Sequence, residues 1–231
     1  LAFTNRSFDT EIKTWDNNYV ELQMNVRLKG DEDDIKETLE AIHELCFEGT
    51  SGSRRINTVF WESINSIANR HKIRLSNGSK VTLKKFSVDN ILYIPKTISI
   101  DIDNKYCDIN MESISGEAEI KLYSGKIYAG TFGGKTTLDL RYSKAFIDNI
   151  PEAGMDIYDS DIELGTCGNF TIESKYSKVE IQRAGDMLFD SYDDNFAIGE
   201  LGRFDGSAKY SDFVLGPASV IIFDFYDSNL E

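Results

Sequence analysis

The sequence is short of the residues that mark a disulfide framework, a metal centre or a membrane span. Its 231 residues include only three cysteines and two histidines. Cys46, Cys107 and Cys167 show none of the close spacings of zinc or redox sites, so we expect buried apolar side chains. No apolar run reaches the roughly 18 residues that a transmembrane helix needs, which excludes a helical membrane span.

Positive charge and proline are also scarce. The 25 basic residues are outnumbered by 39 acidic ones, which leaves a net charge of −14. Such a surface repels phosphate backbones and anionic lipid, so we expect no nucleic-acid partner. Only three prolines are present, whereas aromatic residues reach 12 per cent, and this bias favours β-strands.

The first 93 residues contain no repeat and predict a β-rich cap with one helix. The segment "SFDTEIKTWDNNYVELQMNVRLKG" alternates apolar and polar residues on both sides of Asp16-Asn17-Asn18, as a hairpin does. "DEDDIKETLEAIHELC" carries apolar residues at helical spacing after an acidic start, which predicts one amphipathic helix. The apolar side of that helix would consist of Ile35, Leu39, Ile42 and Leu45. A strand through "INTVFWESI" and a hairpin that turns at Asn77-Gly78 complete the predicted cap.

From Ile94 onward, tyrosines recur at a nearly constant interval. They stand at positions 106, 123, 142, 158, 176, 192, 210 and 226, with separations of 17, 19, 16, 18, 16, 18 and 16. Two classes alternate among the later ones: one follows Arg or Lys and precedes Ser, and the other precedes Asp. The full repeat is therefore roughly 34 residues long and consists of two unequal halves of roughly 17 residues.

The apolar positions follow the same interval and indicate stacked β-coils. The residue five positions after Tyr142, Tyr176 and Tyr210 is Ile or Leu. Each Tyr-Asp step reverses the inward parity, which indicates a turn or bulge. We expect the glycines that follow the alternating stretches to supply unusual backbone dihedrals. These glycines are Gly165, Gly185, Gly199 and Gly216.

A single unit of this repeat buries too few apolar side chains to fold alone, so the units must stack. The sequence therefore predicts an all-β fold. Residues 94–231 would form a β-helix, or β-solenoid, behind a cap formed by residues 1–93. A coil of about 17 residues and a coil of about 34 residues both satisfy the pattern.

Several segments resemble the auto-transporter adhesin head-domain family of Bacteroidetes envelope proteins. These are the lead-in "LYIPK", the step "NKYCDI" and the Tyr/Ser repeats after it, with "FDTEIKTWDNNYVELQ" extending the similarity towards the N-terminus. Cys107 stands where that family usually has glycine. The resemblance implies a right-handed β-helix-like fold, export to the cell surface or periplasm, and an adhesive role without catalytic residues. A start at Leu1 rather than Met fits a signal peptide already removed.

The repeat tyrosines are the candidate ligand-binding residues. An exposed tyrosine offers a flat apolar face and a polar tip, which suit a glycan or protein ligand on the surface. The competing interpretation, in which each ring packs over its neighbour at a coil corner, is favoured. The candidates are Tyr142, Tyr158, Tyr176, Tyr192 and Tyr210.

Acidic steps beside the second tyrosine class are the candidate metal ligands. Stacked carboxylates can hold Ca²⁺, which takes six to eight oxygen ligands. Such side chains also cap turns, and because this second interpretation is favoured we expect no cofactor. The calcium candidates are Asp159, Asp161, Asp193, Asp194 and Asp227.

The sequence thus predicts a non-catalytic adhesin or binding module, with two rivals. A groove holding clustered carboxylates and aromatics would favour a β-helix carbohydrate-active enzyme. An apolar, uncapped end near Phe223 and Phe225 would favour a structural or signalling module of the envelope that interacts with other proteins. Such an end would also permit self-association through the C-terminal coil.

Overall fold

Most of the chain forms a β-solenoid, in which short parallel strands stack so that each coil lies on the preceding one. The computed structural model describes residues 1–45, 47–50, 53–67 and 70–231. About eight coils follow one another at a spacing of about 17 residues. The predicted all-β solenoid is confirmed, and the longer of the two possible coil lengths is excluded.

Residues 1–95 provide one coil and the cap. In chain order their elements are β1 (Ala2–Arg6), β2 (Thr10–Trp15), β3 (Glu21–Gly30), α1 (Glu32–His43), β4 (Phe47–Thr50), β5 (Ser53–Asn57), β6 (Trp61–Ile67), β7 (Arg70–Leu75) and β8 (Lys80–Pro95). Strands β1 and β2 pair in parallel with the next coil and form the first coil of the stack. The rest of the predicted cap domain covers this coil, because β5 lies against β1 and β8 lies against β2.

The remaining strands form the eight coils that follow the β1–β2 coil. They are β9 (Ile100–Lys105), β10 (Ile109–Met111), β11 (Ala118–Tyr123), β12 (Lys126–Thr131), β13 (Lys135–Arg141), β14 (Lys144–Tyr158), β15 (Asp161–Lys175), β16 (Lys178–Ala184), β17 (Met187–Tyr192), β18 (Asn195–Ile198), β19 (Leu201–Lys209), β20 (Asp212–Leu215), β21 (Ala218–Tyr226) and β22 (Asn229–Leu230). The strands before each tyrosine corner stack as one sheet, the leading face, which runs β1, β9, β11, β13, the ends of β14 and β15, β17, β19 and β21. The strands after the corner stack as the trailing face, which runs β2, β10, β12, the starts of β14 and β15, β16, β18, β20 and β22.

Two apolar clusters hold the molecule together. The inward residues of both faces form one continuous core, in which equivalent positions of successive coils are paired, as Met155 and Ile172 are. A second cluster fills the cap, where Phe8 contacts the rings of Phe60, Trp61 and Phe86. The solenoid core therefore runs through every coil, and the cap adds a separate small core at one end.

Two predictions for the cap are confirmed. Helix α1 is present, and its Ile35 and Ile42 pack against the cap cluster together with Leu45, which follows the helix. The hairpin between β7 and β8 turns at Gly78, which has a φ of +90°. No helix in the described ranges is long and apolar enough to cross a membrane. Cys46 lies outside the described residues.

Three details of the predicted cap are wrong. Leu39 is 38% exposed, because Thr38 and Ala41 fill the buried side of α1 instead. The strand through "INTVFWESI" is broken, since β5 ends at Asn57 and β6 begins at Trp61. The first hairpin is also incorrect, because β2 and β3 both pair with β8 rather than with each other. Alternation identifies a strand but does not reveal which strand lies beside it.

The predicted role of the glycines also needs correction. None of the four has a positive φ, whereas tyrosine, serine and aspartate adopt the left-handed conformation at the corners. The glycines are required by space: a Cβ on Gly165 would lie 2.4 Å from the carbonyl oxygen of Asp148. One on Gly216 would lie 1.7 Å from the carbonyl oxygen of Gly199, which is far inside van der Waals contact. Adjacent coils are therefore in backbone contact at these positions.

Candidate functional site

The eight repeat tyrosines form a continuous row of rings along the corner between the two faces. This tyrosine ladder consists of Tyr106, Tyr123, Tyr142, Tyr158, Tyr176, Tyr192, Tyr210 and Tyr226. Neighbouring ring centroids are 5.4–5.7 Å apart and the ring planes cross at 74–86°. This is the edge-to-face geometry that aromatic quadrupoles favour, so each ring inside the row packs on two others.

Two alternating backbone positions produce this geometry and explain why the sequence repeat spans two coils. Tyr142 and Tyr176 occupy the left-handed corner residue itself, with φ of 54° and 58°. Tyr158, in the coil between them, stands one residue earlier and leaves the left-handed conformation to Asp159, a residue type that tolerates it. Because the Cα atom that carries the ring shifts by one residue from coil to coil, the planes of successive rings are rotated relative to each other. Rings at a single repeated position would stack in parallel at the strand spacing of about 4.8 Å.

A column of polar side chains, buried in every coil but the last, lies directly beneath the ladder. This serine column consists of Ser143, Ser160, Ser177, Asp194, Ser211 and Ser228, each of which follows a left-handed residue. The backbone N–H of Ser143 donates to Ser160 Oγ at 3.0 Å, and that of Ser160 donates to Ser177 Oγ at 3.2 Å. The column satisfies backbone donors that the corner would otherwise leave unpaired. The Ser of the Tyr-Ser motif therefore has a structural role.

Cys107 occupies the equivalent corner position two coils before Ser143, with Gly125 in the coil between them. Its Sγ donates to Asn104 Oδ1 at 3.1 Å, and burial raises the pKa of the thiol to about 11. Cys167 lies on the inner side of the trailing face, where burial raises its pKa to about 12. Both thiols are free and buried, as the sequence predicts for these two cysteines.

The calcium candidates have separate environments. Asp161 forms an ion pair with Lys144, whereas Asp194 points inward and accepts hydrogen bonds from Ser191 Oγ at 2.6 Å and from the Ser177 N–H at 2.7 Å. Burial raises the pKa of Asp194, an effect that these hydrogen bonds partly oppose. Within the described parts of the chain, no three His, Cys, Asp or Glu residues converge as metal ligands would. The column that holds Asp194 thus serves the fold.

A groove of about 1020 Å³ runs along the outer side of the trailing face, from β2 to β20. One row of outward side chains forms its wall, and this wall includes Asn110, Tyr128, Phe146, Glu163, Glu180 and Ala197. A second outward row, two residues further along each strand, forms its floor, and this floor includes Gly130, Asp148, Gly165, Gln182, Gly199 and Gly216. Because glycine recurs in the floor, no side chain covers the backbone at those positions.

Two aromatic rings stack in the wall of the groove. The centroids of Tyr128 and Phe146 are 4.8 Å apart and their planes differ by only 6°. Tyr128 is 41% exposed and Phe146 is half-buried. The neighbours of this pair in the wall are Asn110 and Glu163, so no further ring continues the stack. This stacked pair is an open aromatic platform, unlike the closed ladder.

The groove carries an excess of negative charge around this platform. Glu11 is neutralised by Lys13 at 2.8 Å, and Glu180 by Lys178 at 2.5 Å. Asp148 and Glu163, which flank Phe146 in the floor and the wall, form no ion pair with the described residues. An anionic ligand would therefore be repelled from the centre of the groove.

Sequence reasoning did not find Tyr128 and Phe146. Each lies four residues after a left-handed corner residue, which is Ser124 for one and Tyr142 for the other. That common offset is visible in the sequence once the corners are known. Only two coils have an aromatic residue there, however, so the position shows no repeat of its own.

The C-terminal coil presents apolar side chains at the open end of the stack. Val220, Ile221, Ile222 and Phe223 on β21 are each 43–47% exposed. Phe225, by contrast, is half-buried and stacks on Phe213 at 5.1 Å. Strand β21 pairs with β19 on one side only among the described strands. Self-association through this coil stays a prediction.

Comparisons of the chain with protein-family models, with curated proteins and with solved structures found no match.

Proposed function

We propose that the chain is a non-catalytic binding module of the adhesin type, which holds an extended ligand in the groove of the trailing face. The observation that carries this proposal is the groove itself, which crosses the coils from β2 to β20 and exposes a stacked aromatic pair. A ligand lying along it would touch many coils, so weak contacts repeated at each step would add up. An exported protein at the cell surface or in the periplasm would meet such polymers.

The tyrosine ladder is a less suitable binding surface than the groove. Its rings already contact each other edge to face, and this packing uses the surfaces that a ligand would need. Their outer edges remain accessible, since Tyr142, Tyr176 and Tyr210 are about half exposed. Contacts of the five predicted tyrosines with a protein or glycan therefore stay a prediction, in support of the groove rather than in its place.

A carbohydrate-active enzyme is the second candidate, and one observation favours it. Asp148 and Glu163 are unpaired carboxylates on either side of Phe146, inside the groove. Most glycoside hydrolases cleave with two such carboxyl groups, one of which donates a proton while the other attacks or activates water. The binding module is preferred because aromatic residues and an exposed backbone floor suffice for retention.

One experiment separates these functions. The purified chain is placed on a panel of polysaccharides and host-matrix proteins, and retention and released oligosaccharide are recorded in the same wells. Retention without release supports the binding module. Release that disappears in Asp148→Asn and Glu163→Gln supports the enzyme. Absence of retention and of release on the whole panel contradicts both, and turns attention to the exposed C-terminal coil as the surface of a structural or signalling module.

A further inference from the structure

Building on the proposed binding function, we infer that the groove binds a linear, uncharged polysaccharide, with Tyr128 and Phe146 as the platform for one of its sugar rings. The two rings stack on each other, and the adjacent wall positions hold Asn110 and Glu163 rather than further rings. An aromatic face beside hydrogen-bonding side chains is the combination that a sugar ring fits, because its C–H groups meet the ring while its hydroxyls meet the polar atoms.

The distribution of charge selects an uncharged polymer. Asp148 and Glu163 repel the carboxylates or sulfates of an acidic polysaccharide, and the nearby Lys144 and Lys178 are already paired with Asp161 and Glu180. A polycation would need an acidic side chain at each step of the groove. The wall instead has neutral residues at Asn110, Ala197 and Val214. The hydroxyl groups of a neutral polysaccharide can donate hydrogen bonds to the carboxylates of Asp148 and Glu163, and they need neither basic residues nor a continuous acidic row in the groove.

The geometry of the sheet argues against an extended peptide. The groove lies on the outer face of the stack, where the strands already pair with neighbours on both sides, so no free backbone is available for strand addition. An extended peptide advances about 3.3 Å per residue, whereas the coils are about 4.8 Å apart, and the two periods do not match. A sugar unit is comparable in length with one coil step, so each unit can meet an equivalent floor position.

The test measures affinity for defined polymers. The probes are soluble xylan, mixed-linkage β-glucan and mannan as neutral chains, with polygalacturonate as the anionic and chitosan as the cationic comparison. Affinity electrophoresis or calorimetry compares the unmodified chain with Tyr128→Ala, Phe146→Ala and Tyr128→Phe. One aromatic contact corresponds to roughly a three- to tenfold change in affinity, so each alanine should weaken binding by that factor and Tyr128→Phe should retain most of it.

The matched control is Tyr19→Ala, which removes a similarly exposed ring from the cap, outside both the groove and the ladder. Circular dichroism and gel filtration confirm that every variant is folded. Binding of a neutral chain that weakens in Tyr128→Ala and persists in Tyr19→Ala supports the inference. Binding that weakens in Tyr176→Ala but not in Tyr128→Ala overturns it and moves the site to the ladder.

Two further outcomes overturn the inference in distinguishable ways. If only polygalacturonate, chitosan or a protein binds, the inference of a neutral polysaccharide is contradicted, but the proposed binding function stands. No binding to any polymer or matrix protein removes the inference together with the proposed function.

Discussion

The tyrosine ladder and the groove are built on the same coils, but one is regular and the other is not. Each of the eight coils after the first contributes a tyrosine to the ladder, whereas Tyr128 and Phe146 are the aromatic residues of the groove wall in only two coils. Every ladder ring between Tyr106 and Tyr226 has a partner on both sides within the row. The groove pair has partners only in each other. Regular repetition thus accompanies packing, and departure from repetition accompanies the surface that we propose for binding.

The physical reason lies in what stacking demands. Coils that lie about 4.8 Å apart must place compatible side chains at equivalent positions, because each residue touches its counterpart in the next coil. An outward position beside solvent is under no such demand, so its side chain can differ from one coil to the next.

The largest effect is expected in the glycine positions of the groove floor. Gly165→Val would place a Cβ 2.4 Å from the carbonyl oxygen of Asp148, so two coils must separate. We expect the free energy of unfolding to fall by about 3 kcal/mol, or the protein to become insoluble. Gln182→Val in the same floor row should change it by less than about 0.5 kcal/mol. Urea denaturation measures both, and equal losses would contradict the close-approach explanation.

The next effect contrasts the two aromatic surfaces directly. Tyr176→Ala removes two edge-to-face contacts, with Tyr158 and Tyr192, and should cost about 2 kcal/mol of unfolding free energy. Tyr128→Ala removes one stacking contact and should cost about half as much. Thermal and urea unfolding of the two variants decide the order. A larger loss at Tyr128 would mean that the groove pair, and not the ladder, is the structural element.

A companion variant separates the ring from the backbone strain. Tyr176 has a φ of 58°, which glycine adopts freely and alanine does not. Tyr176→Gly should therefore be about 1 kcal/mol more stable than Tyr176→Ala. If the two variants are equally stable, the left-handed corner stores no strain.

A smaller, pH-dependent effect is expected beneath the ladder. The folded-state pKa of Asp194 is raised, mainly by burial, so the fold binds its proton more tightly than the unfolded chain does. The resulting stabilisation is complete below the unfolded pKa of about 4 and is lost as the pH rises through the raised value. Asp194→Ser restores the usual residue of the column and removes this dependence. Urea unfolding from pH 4 to pH 7 should show the unmodified chain losing stability relative to the variant, and a constant difference would refute the assignment.

The smallest effect concerns reactivity and leaves stability unchanged. Cys107 and Cys167 have pKa values raised to about 11 and about 12 by burial, so very little thiolate exists at pH 8. In a Cys46→Ser background, both thiols should react with a disulfide reagent at least about a hundredfold more slowly in the native protein than in urea. Rapid native labelling would show that the corner or the trailing face opens readily.

Local patterns predicted the repeating part well and the cap only in part. The interval between tyrosines identified the coil, because each coil repeats the same environment for its corner. In the cap, β2 and β3 were identified as strands, but the strand between them is β8, which begins only at Lys80. No local pattern carries that information. The helix was identified, while Leu39 was assigned to the wrong side because the buried face is defined by its neighbours.

The candidate site was largely invisible for the same reason. The predicted tyrosines are on the surface and in one row, yet the structure shows that they pack on one another. The residues at the centre of the groove are inconspicuous in the sequence and come together only because three coils stack on one another. They are Tyr128, Phe146, Asp148 and Glu163.

The residue pattern alone indicates that the chain coils, with its apolar residues inward and a tyrosine at the repeated corners. These features are periodic, and periodic burial leaves a periodic pattern in the residues. The coil length of about 17 residues, the edge-to-face contacts of the rings and the groove of the trailing face are visible only in the folded chain. Each of these depends on the register between neighbouring coils, which brings together residues that no local stretch contains.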